Sequence, residues 1–286
     1  MMLTKNNTIF VVHLIWLPFG IDLFKQFVVS YKQHISGHEH QLLFLFNGVG
    51  NKTETSAYHE YAISEGLIYT SFYMESVQDI EAYKWIALQV DCDYFLFLNS
   101  YTKILAGDWL LNYVKNIQDG IGLIGATASC SCYWQDVFKK HTWHWDSSQS
   151  FDYNFRKIKL LIKAGTLWRF YFKPFPNYHI RTTGFFISKQ LFENISCGKL
   201  NNKFAAYLFE SGRNSLTNQV IAKGLDVLVI DKFGTSYRKE KWAIANTFWI
   251  KEQENLLFAD NQTEMYNLSS EFKKKQLTEL AWGKYE

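Results

Sequence analysis

The segment from Asp91 to Thr102 constrains the fold of this chain more than any other, because an apolar run in it ends abruptly in small polar residues. Tyr94 to Leu98 has the length and the aromatic and aliphatic content of a buried strand. Asn99 and Ser100 follow at once. In an α/β sheet such a turn lies at the carboxyl edge, where ligands bind. The sequence therefore predicts an α/β sheet that delivers polar groups to this edge.

Strand-like and helix-like segments alternate along the first half of the chain. Runs of β-branched and aromatic residues predict strands, and apolar residues at helical spacing predict the helices between them. The predicted strands are Ile9 to Trp16, Gln41 to Phe46, Leu67 to Phe72, Tyr94 to Leu98 and Gly122 to Ala126, and the predicted helices are Ile21 to Ile35, Thr53 to Ser64, Asp79 to Val90 and Trp109 to Ile117. This alternation predicts a mainly parallel central sheet with helices on both faces.

The second half of the chain is less regular. His179 to Ser188 and Asp226 to Ile230 are predicted strands, Asn214 to Lys223 is a predicted helix, and the chain from Trp242 onward is predicted to be mostly helical. No linker rich in serine, glycine or proline and no internal repeat interrupts the 286 residues. We therefore expect a single domain, 1–286.

The composition argues against several classes of protein. A net charge of +3, without a recognisable motif, does not support binding to nucleic acid. The apolar opening from Ile9 to Ile21 contains His13 and Pro18, which favours a strand and turn over a signal peptide or membrane span. With no secretory signal, the four cysteines are expected to be reduced. These features predict a cytoplasmic protein.

Four segments, taken together, resemble one family of enzymes. They are Asp79-Ile80-Glu81-Ala82-Tyr83, Leu98-Asn99-Ser100, His179-Ile180-Arg181-Thr182-Thr183-Gly184-Phe185 and Phe209-Glu210-Ser211-Gly212-Arg213. Their order is similar to that of the family-2-like glycosyltransferases of the GT-A fold, in particular the branch related to rhamnan and capsular polysaccharide synthesis. The resemblance covers nearly the whole chain.

The resemblance implies a GT-A-like domain that moves a hexose or deoxyhexose from a nucleoside diphosphate sugar to a glycan, commonly with inversion and with a divalent cation such as Mn²⁺ or Mg²⁺. Residues 1–127 would form the half that binds the nucleotide sugar, and residues 128–286 the half that binds the acceptor and carries out catalysis. Tyr101 departs from the pattern, because many relatives have a metal-binding Asp there. Metal dependence is therefore open, and a catalytically silent module that binds nucleotide sugars or glycans is the alternative function.

Glu210 is the predicted general base. Inverting transfer needs a carboxylate to accept the proton of the acceptor hydroxyl. We expect Glu210 in a loop just before a helix, with Arg213 three residues on to neutralise the departing diphosphate. The alternative is a Glu–Arg surface pair beside a helix N-terminus.

Five further residues are candidates for binding the donor. Asp79 and Tyr83 are four apart on a predicted helix and could hold the base or ribose, although a capping Asp and a core Tyr would give the same pattern. Asn99 and Ser100 could contact the ribose or diphosphate, and Tyr101 could stack on the base or acceptor. The alternative for these three residues is a plain polar turn.

His179 and Arg181 alternate along one predicted strand, so both are expected on the same face, where they could bind phosphate or acceptor hydroxyls. A hydrogen-bonded histidine and a solvated arginine are the alternative. Asp260, in a polar segment after Leu256 to Phe258, is a candidate replacement metal ligand or an ordinary helix cap.

Trp143 and Trp145 offer flat rings to the faces of acceptor sugars, or belong to the core or a lid. The stretch from Arg156 to Lys173 contains six cationic residues interleaved with apolar ones and no acidic residue. It suits peripheral contact with an anionic membrane and a lipid-linked acceptor. The alternatives are a basic flap over a diphosphate site and a solvated face.

Overall fold

The computed structural model describes residues 7–141, 143, 146–200 and 202–284, without the side chains of Lys52 and Lys140. The strands are β1 (Ile9–Trp16), β2 (Gln41–Asn47), β3 (Thr70–Met74), β4 (Tyr94–Leu98), β5 (Lys103–Ile104), β6 (Ile121–Gly125), β7 (Ala128–Ser129), β8 (His179–Ile180), β9 (Phe185–Ser188), β10 (Asp226–Ile230), β11 (Ser236–Tyr237) and β12 (Phe258–Ala259). The α-helices are α1 (Ile21–Gln33), α2 (Ser56–Ser64), α3 (Asp79–Gln89), α4 (Trp109–Val114), α5 (Tyr133–Lys140), α6 (Phe151–Lys163), α7 (Arg169–Tyr171), α8 (Lys189–Glu193), α9 (Lys203–Ser211), α10 (Leu216–Ala222), α11 (Asn261–Asn267) and α12 (Glu271–Trp282).

The central sheet has eight strands and is mainly parallel. Its strand order is β11-β10-β6-β9-β4-β1-β2-β3. Strands β4, β1, β2 and β3 are parallel to one another, and so are β6 and β10. Strand β9 runs antiparallel between β4 and β6, and β11 is antiparallel at one edge. The predicted α/β fold is thereby confirmed.

Both faces of the sheet are covered, because alternate residues of each strand point to opposite sides. On β1, Phe10 and Val12 belong to a buried cluster with residues of α3, α9 and α10. Ile9 and Val11 belong to a second cluster with residues of α1, α2 and α4. Each inner strand is therefore buried on two sides, which explains the nearly continuous apolar runs in the sequence.

The prediction of one strand from His179 to Ser188 is wrong. Strand β8 pairs with β7 in a small sheet, and β9 lies in the central sheet. The loop Arg181–Gly184, called the connecting loop below, separates them. Gly184 has a φ of 67°, and a Cβ added there would lie 2.6 Å from Cδ2 of Phe258. The left-handed backbone of this glycine, directly before β9, interrupts the predicted strand.

The prediction of a mostly helical C-terminal stretch holds only from Asn261. Residues 246–257 form turns and bends with left-handed backbone at several positions, including Asn246 and Trp249. The basic stretch belongs to a longer unit, in which α6 begins at Phe151 and continues through a π-helix, Ala164–Trp168, into α7. Across the described part of the chain, no helix combines the length and apolar character needed to cross a membrane.

Candidate functional site

A cleft of about 750 Å³ opens at the carboxyl edge of the parallel strands. Its walls come from the ends of β1 and β4, from the segment between β3 and α3, and from the first residues of α9 and α11. Asp79, Asn99, Lys203 and Asn261 each contribute to one of these walls. The position agrees with the general rule that open α/β sheets bind ligands beyond the carboxyl ends of their strands.

The turn after β4 forms one side of the cleft. The Asn99 side chain donates a hydrogen bond to Oγ1 of Thr183 (2.7 Å) and accepts one from the Tyr101 amide (3.0 Å). Oγ of Ser100 donates to the Leu14 carbonyl of β1 (2.9 Å), so this hydroxyl joins two strands. The Tyr101 ring lies 4.8 Å from that of Phe19, and both rings line the cleft. Tyr101 therefore presents an aromatic surface to the cleft, whereas Ser100, which also lines it, uses its hydroxyl to bind β1.

Asp79 and Tyr83 occupy different environments although they share one face of α3. Asp79 lines the cleft and is open to it, but protein surrounds its other sides, and the partial loss of water raises the pKa of its carboxyl. Tyr83 is buried against Phe97, with ring centroids 4.6 Å apart. Burial, and then the charge of Asp79, raise the pKa of Tyr83. The structure thus brings Asp79 to the cleft and keeps Tyr83 in the core.

The connecting loop joins three parts of the site. Thr182 donates its backbone N–H (2.9 Å) and its hydroxyl (2.7 Å) to Oε2 of Glu210. Thr183, the next residue, accepts the hydrogen bond from Asn99 at the cleft. Arg181, the residue before, forms an ion pair of 2.9 Å with Asp260. Each of three successive residues therefore contacts a different functional candidate.

Glu210 lies in the last turn of α9, so the expectation of a loop before a helix is wrong. Asn202 caps the start of this helix, and Gly212 ends it. Oε2 of Glu210 is held by the connecting loop. Oε1 makes no hydrogen bond to any described residue, and the side chain is half-buried. The result is a fixed carboxylate with one oxygen left to accept a proton.

His179 is buried, and its Nδ1–H donates to the Asn177 carbonyl (2.7 Å). Burial lowers the pKa of His179 more than the nearby Glu210 carboxylate raises it, so the imidazole is neutral near pH 7. Arg181 lies beyond β8, with its guanidinium 4.1 Å from the Phe248 ring centroid. Its charge is balanced by Asp260. Neither side chain is therefore a free cation for a phosphate.

Asp260 caps α11 through Oδ1, which accepts from the amides of Gln262 (3.0 Å) and Thr263 (2.9 Å). Burial acts to raise the pKa of Asp260, but Arg181 and the Thr263 amide outweigh burial and hold it below its usual range. Both carboxylate oxygens are thus engaged within the protein. This arrangement corresponds to the helix cap that was the alternative prediction.

Two other predicted residues, Arg213 and Trp143, do not line the cleft. Arg213 is exposed beside a separate pocket of about 270 Å³, where its guanidinium donates to the Arg169 carbonyl (3.4 Å). Trp143 is 55% exposed, and its ring lies 6.2 Å from that of Phe138. Trp145 is outside the described residues. Arg213 and Trp143 are therefore not among the residues that line the cleft with Asn99.

No family model and no curated protein matches this chain. Several solved structures are similar to it, at low sequence identity. A mannosyltransferase from Pyrobaculum calidifontis, in complex with GDP-Man and Mn²⁺, is 11% identical, with a TM-score of 0.46 over 79% of this chain and 55% of its own. A glucosyl-3-phosphoglycerate synthase from Mycobacterium tuberculosis, with Mn²⁺, UDP-Glc and phosphoglyceric acid, is 15% identical. Its TM-score is 0.34, over 65% of this chain and 57% of its own. GalNAc-T7, with UDP, GalNAc and Mn²⁺, is 14% identical. Its TM-score is 0.35, over 43% of this chain and 23% of its own. These neighbours are GT-A-type glycosyltransferases, and this chain spans less than two thirds of each of them.

Two carboxylates, Asp79 and Glu81, line the cleft, but they are not part of a larger cluster of metal-ligating side chains in the described part of the chain. No group of three or more His, Cys, Asp or Glu residues in the described ranges could hold a metal ion. The turn after β4 offers Tyr101 and no carboxylate, and Asp260 is already bound to Arg181. We therefore assign no chemical step to an ion.

Sequence reasoning missed Lys203. Among the described residues that line the cleft, Lys203 is the one cation, beside the carboxylates Asp79 and Glu81. It begins α9, the helix that carries Glu210 in its last turn. The signal that could have found it is the helical spacing of Phe204 and Leu208, which extends the helix of Glu210 back to the cleft.

Proposed function

We propose that this protein is a glycosyltransferase that moves a hexose or deoxyhexose from a nucleoside diphosphate donor to an acceptor hydroxyl. The observation that carries the proposal is the connecting loop, which fixes the Glu210 carboxylate through Thr182 and reaches the cleft through Thr183. Glu210 itself does not line the cleft, but a positioned carboxylate joined in this way to a cleft at the carboxyl edge of a sheet is what a proton-accepting transfer needs.

The chemistry assigned to Glu210 is general base catalysis. The acceptor oxygen forms a bond to the anomeric carbon while the bond from that carbon to the diphosphate oxygen breaks. The acceptor proton passes to Oε1 of Glu210, the oxygen that the connecting loop leaves open. Attack opposite to the leaving diphosphate inverts the configuration at the anomeric carbon.

Donor binding is assigned to the cleft. Tyr101 and Phe19 offer aromatic surface to the nucleobase, and Asp79 offers a carboxylate to the base or ribose. Lys203 is placed to interact with the diphosphate as negative charge develops on it. Arg213, the earlier candidate for that role, lies by another pocket.

Acceptor binding is assigned to the second half of the chain. Trp143 and Trp145 remain the proposed contacts to the sugar faces of a glycan, and the exposure of Trp143 supports this assignment. Capsular or rhamnan-type polysaccharide and a lipid-linked glycan, encountered in the cytoplasm, are the proposed acceptor classes.

The test is Glu210→Gln, which keeps the side-chain shape and removes the base. Purified protein is incubated with a panel of nucleoside diphosphate sugars, with water as the acceptor, and release of nucleoside diphosphate is measured. Turnover should fall by about 10²–10⁴-fold with little change in donor affinity. The matched control is Glu240→Gln, a surface glutamate paired only loosely with Lys239 at 3.9 Å, which should leave turnover unchanged.

Normal turnover in Glu210→Gln would contradict the assignment of the base. The alternative function, a binding module without turnover, is favoured by one observation, the absence of a carboxylate in the turn Asn99 to Tyr101. That alternative would stand if nucleoside diphosphates bind to the protein while none of the nucleotide sugars is hydrolysed.

A further inference from the structure

Helix α6 has an exposed apolar face in addition to the face that packs on the protein. Leu161 and Ala164 are buried against α5. Phe155 is 54% exposed and Ile162 is 51% exposed, with the half-buried Ile158 between them. Spacings of three and four residues place these three side chains in one stripe. The packed face of α6 is therefore already covered by the protein, and the second apolar face is exposed to solvent.

The stripe continues beyond the α-helical segment. Ala164–Trp168 is a π-helix, in which residues five apart share a face. Leu167, five residues after Ile162, is 55% exposed. We call Phe155, Ile158, Ile162 and Leu167 the α6 stripe. Large apolar side chains at regular spacing on an exposed helix mark a surface that another apolar phase covers.

A cationic flank runs along the α6 stripe. At 100° per residue, Lys159 and Lys163 lie roughly 70° and 110° from the middle of the stripe. Neither lysine forms a salt bridge to any described residue, whereas Arg156 is paired with Asp152 at 2.7 Å. Residues 153–173 contain no acidic side chain at all. The apolar stripe is thus bordered by the buried face on one side and by positive charge on the other.

We propose that α6 and the π-helix dock this protein on an anionic lipid surface, with the α6 stripe in the acyl boundary and Lys159 and Lys163 at the phosphate groups. The combination of an apolar stripe and a lysine-rich flank is the arrangement of helices that lie in a membrane interface. Each lysine near such a surface adds electrostatic attraction.

The positive charge of Lys159 and Lys163 also argues against a second copy of this chain as the surface that covers the α6 stripe. In a symmetric dimer the same surface patch meets itself. The positively charged flanks of both copies would then border one interface and repel each other, which costs free energy. An anionic lipid surface has the complementary charge. The proposed lipid binding can be tested independently of the proposed glycosyl transfer, since it is measured without a sugar donor or acceptor.

The experiment is co-sedimentation of the full chain with vesicles. One set contains phosphatidylcholine alone, and the other contains equal parts phosphatidylcholine and phosphatidylglycerol. We expect binding to the anionic vesicles and little binding to the neutral ones. The double variant Phe155→Ser with Ile162→Ser should bind at least about tenfold more weakly. Lys159→Gln with Lys163→Gln should weaken binding by on the order of 30-fold.

Matched controls come from other helices. Ile63→Ser with Phe272→Ser changes one isoleucine and one phenylalanine that are more exposed than the test positions, at 68% and 74%. Lys273→Gln with Lys275→Gln removes two exposed lysines of α12. Both controls should bind anionic vesicles as well as the unchanged protein does. Every variant should have the same thermal unfolding temperature as the unchanged protein.

Failure of the unchanged protein to sediment with anionic vesicles would overturn the proposal. Equal losses of vesicle binding in the control and test variants would also overturn the proposal. Binding would then depend on the total charge or total apolar surface of the protein and not on α6. A dimer in sedimentation velocity that Phe155→Ser with Ile162→Ser converts to a monomer, without vesicle binding, would identify a second copy as the occupant instead.

Discussion

Two neighbouring threonines, Thr182 and Thr183, link the carboxylate of Glu210 to the turn at Asn99. A β-branched side chain has few rotamers, so a threonine hydroxyl that makes such a bond loses little freedom. The two hydrogen bonds to Oε2 hold one oxygen of Glu210, and the orientation of the other follows from that. The geometry of the proposed base therefore depends on residues that carry no charge.

Gly184 closes this loop, and its replacement should be costly. Gly184→Ala introduces a Cβ at 2.6 Å from a Phe258 ring atom and at a φ of 67°. Strain and overpacking together should lower the free energy of unfolding by about 2–5 kcal/mol, measured in urea. Gly66→Ala is the control, because its φ is 72° but nothing lies within 4 Å of the added Cβ. A loss as small as that of Gly66→Ala would mean that the Phe258 ring simply moves aside.

His13 should make stability depend on pH. It is buried on β1 and stacked on Phe27 at 3.7 Å, and burial lowers the pKa of His13 to about 3. An unfolded chain has a histidine pKa of about 6.5. Between these values the unfolded state binds a proton that the folded state does not, so stability falls as the pH falls below about 6.5.

The measurement is the free energy of unfolding of the unchanged protein and of His13→Leu, at pH 7 and at pH 4. The difference should shift by roughly 3 kcal/mol in favour of the variant at the lower pH. Leu14→Ala, at a buried residue of β1 without a titratable side chain, is the control and should show the same loss at both pH values. The same pH dependence in both variants would rule out His13 as the source.

At the scale of elements, α9 connects the two ends of the proposed site. Lys203 at its start lines the cleft, and Glu210 in its last turn meets the connecting loop. Seven residues of helix separate them by roughly 10 Å along the axis. A single rigid element therefore sets the distance between the proposed diphosphate contact and the proposed base.

Lys203→Gln should weaken binding of a nucleoside diphosphate by about tenfold, since a hydrogen bond to a charged group contributes about 1.5–3 kcal/mol. The measurement is titration calorimetry in the presence of a chelator, so that no ion contributes. Lys199→Gln removes an exposed lysine outside the cleft and should leave the affinity unchanged. If the two variants bind equally well, another group holds the diphosphate.

Elements whose pattern is local were predicted well from the sequence. β1, β4 and β10 have the predicted bounds, because each is a mostly apolar run bounded by polar or turn residues. The strand predicted from His179 to Ser188 failed because Gly184 was taken as an ordinary strand residue, whereas it has a left-handed backbone and leaves no room for a Cβ beside Phe258. Glu210 was predicted in a loop before a helix, whereas Gly212 ends the helix α9 two residues after it, so Glu210 was placed in the wrong element.

At the scale of the whole molecule, the sequence indicated the sheet and its functional edge but not the connections across it. Asn99 and Glu210 were both candidates, yet their link through the connecting loop depends on β9 lying antiparallel between β4 and β6. That placement is a long-range pairing with no local signal. For the same reason Asp260 could be named as a cap or a ligand, but its pairing with Arg181 could not be foreseen.

The connecting loop also determines where this chain can change in length. Arg181, Thr182 and Thr183 each reach a different partner, and Gly184 must follow them directly to turn into β9. Surface turns such as the one at Gly66 can gain or lose residues, since loop closure costs little more as a loop grows. One inserted or deleted residue between Arg181 and Gly184 would instead shift every following side chain by one position, so that all three connections could not be kept together.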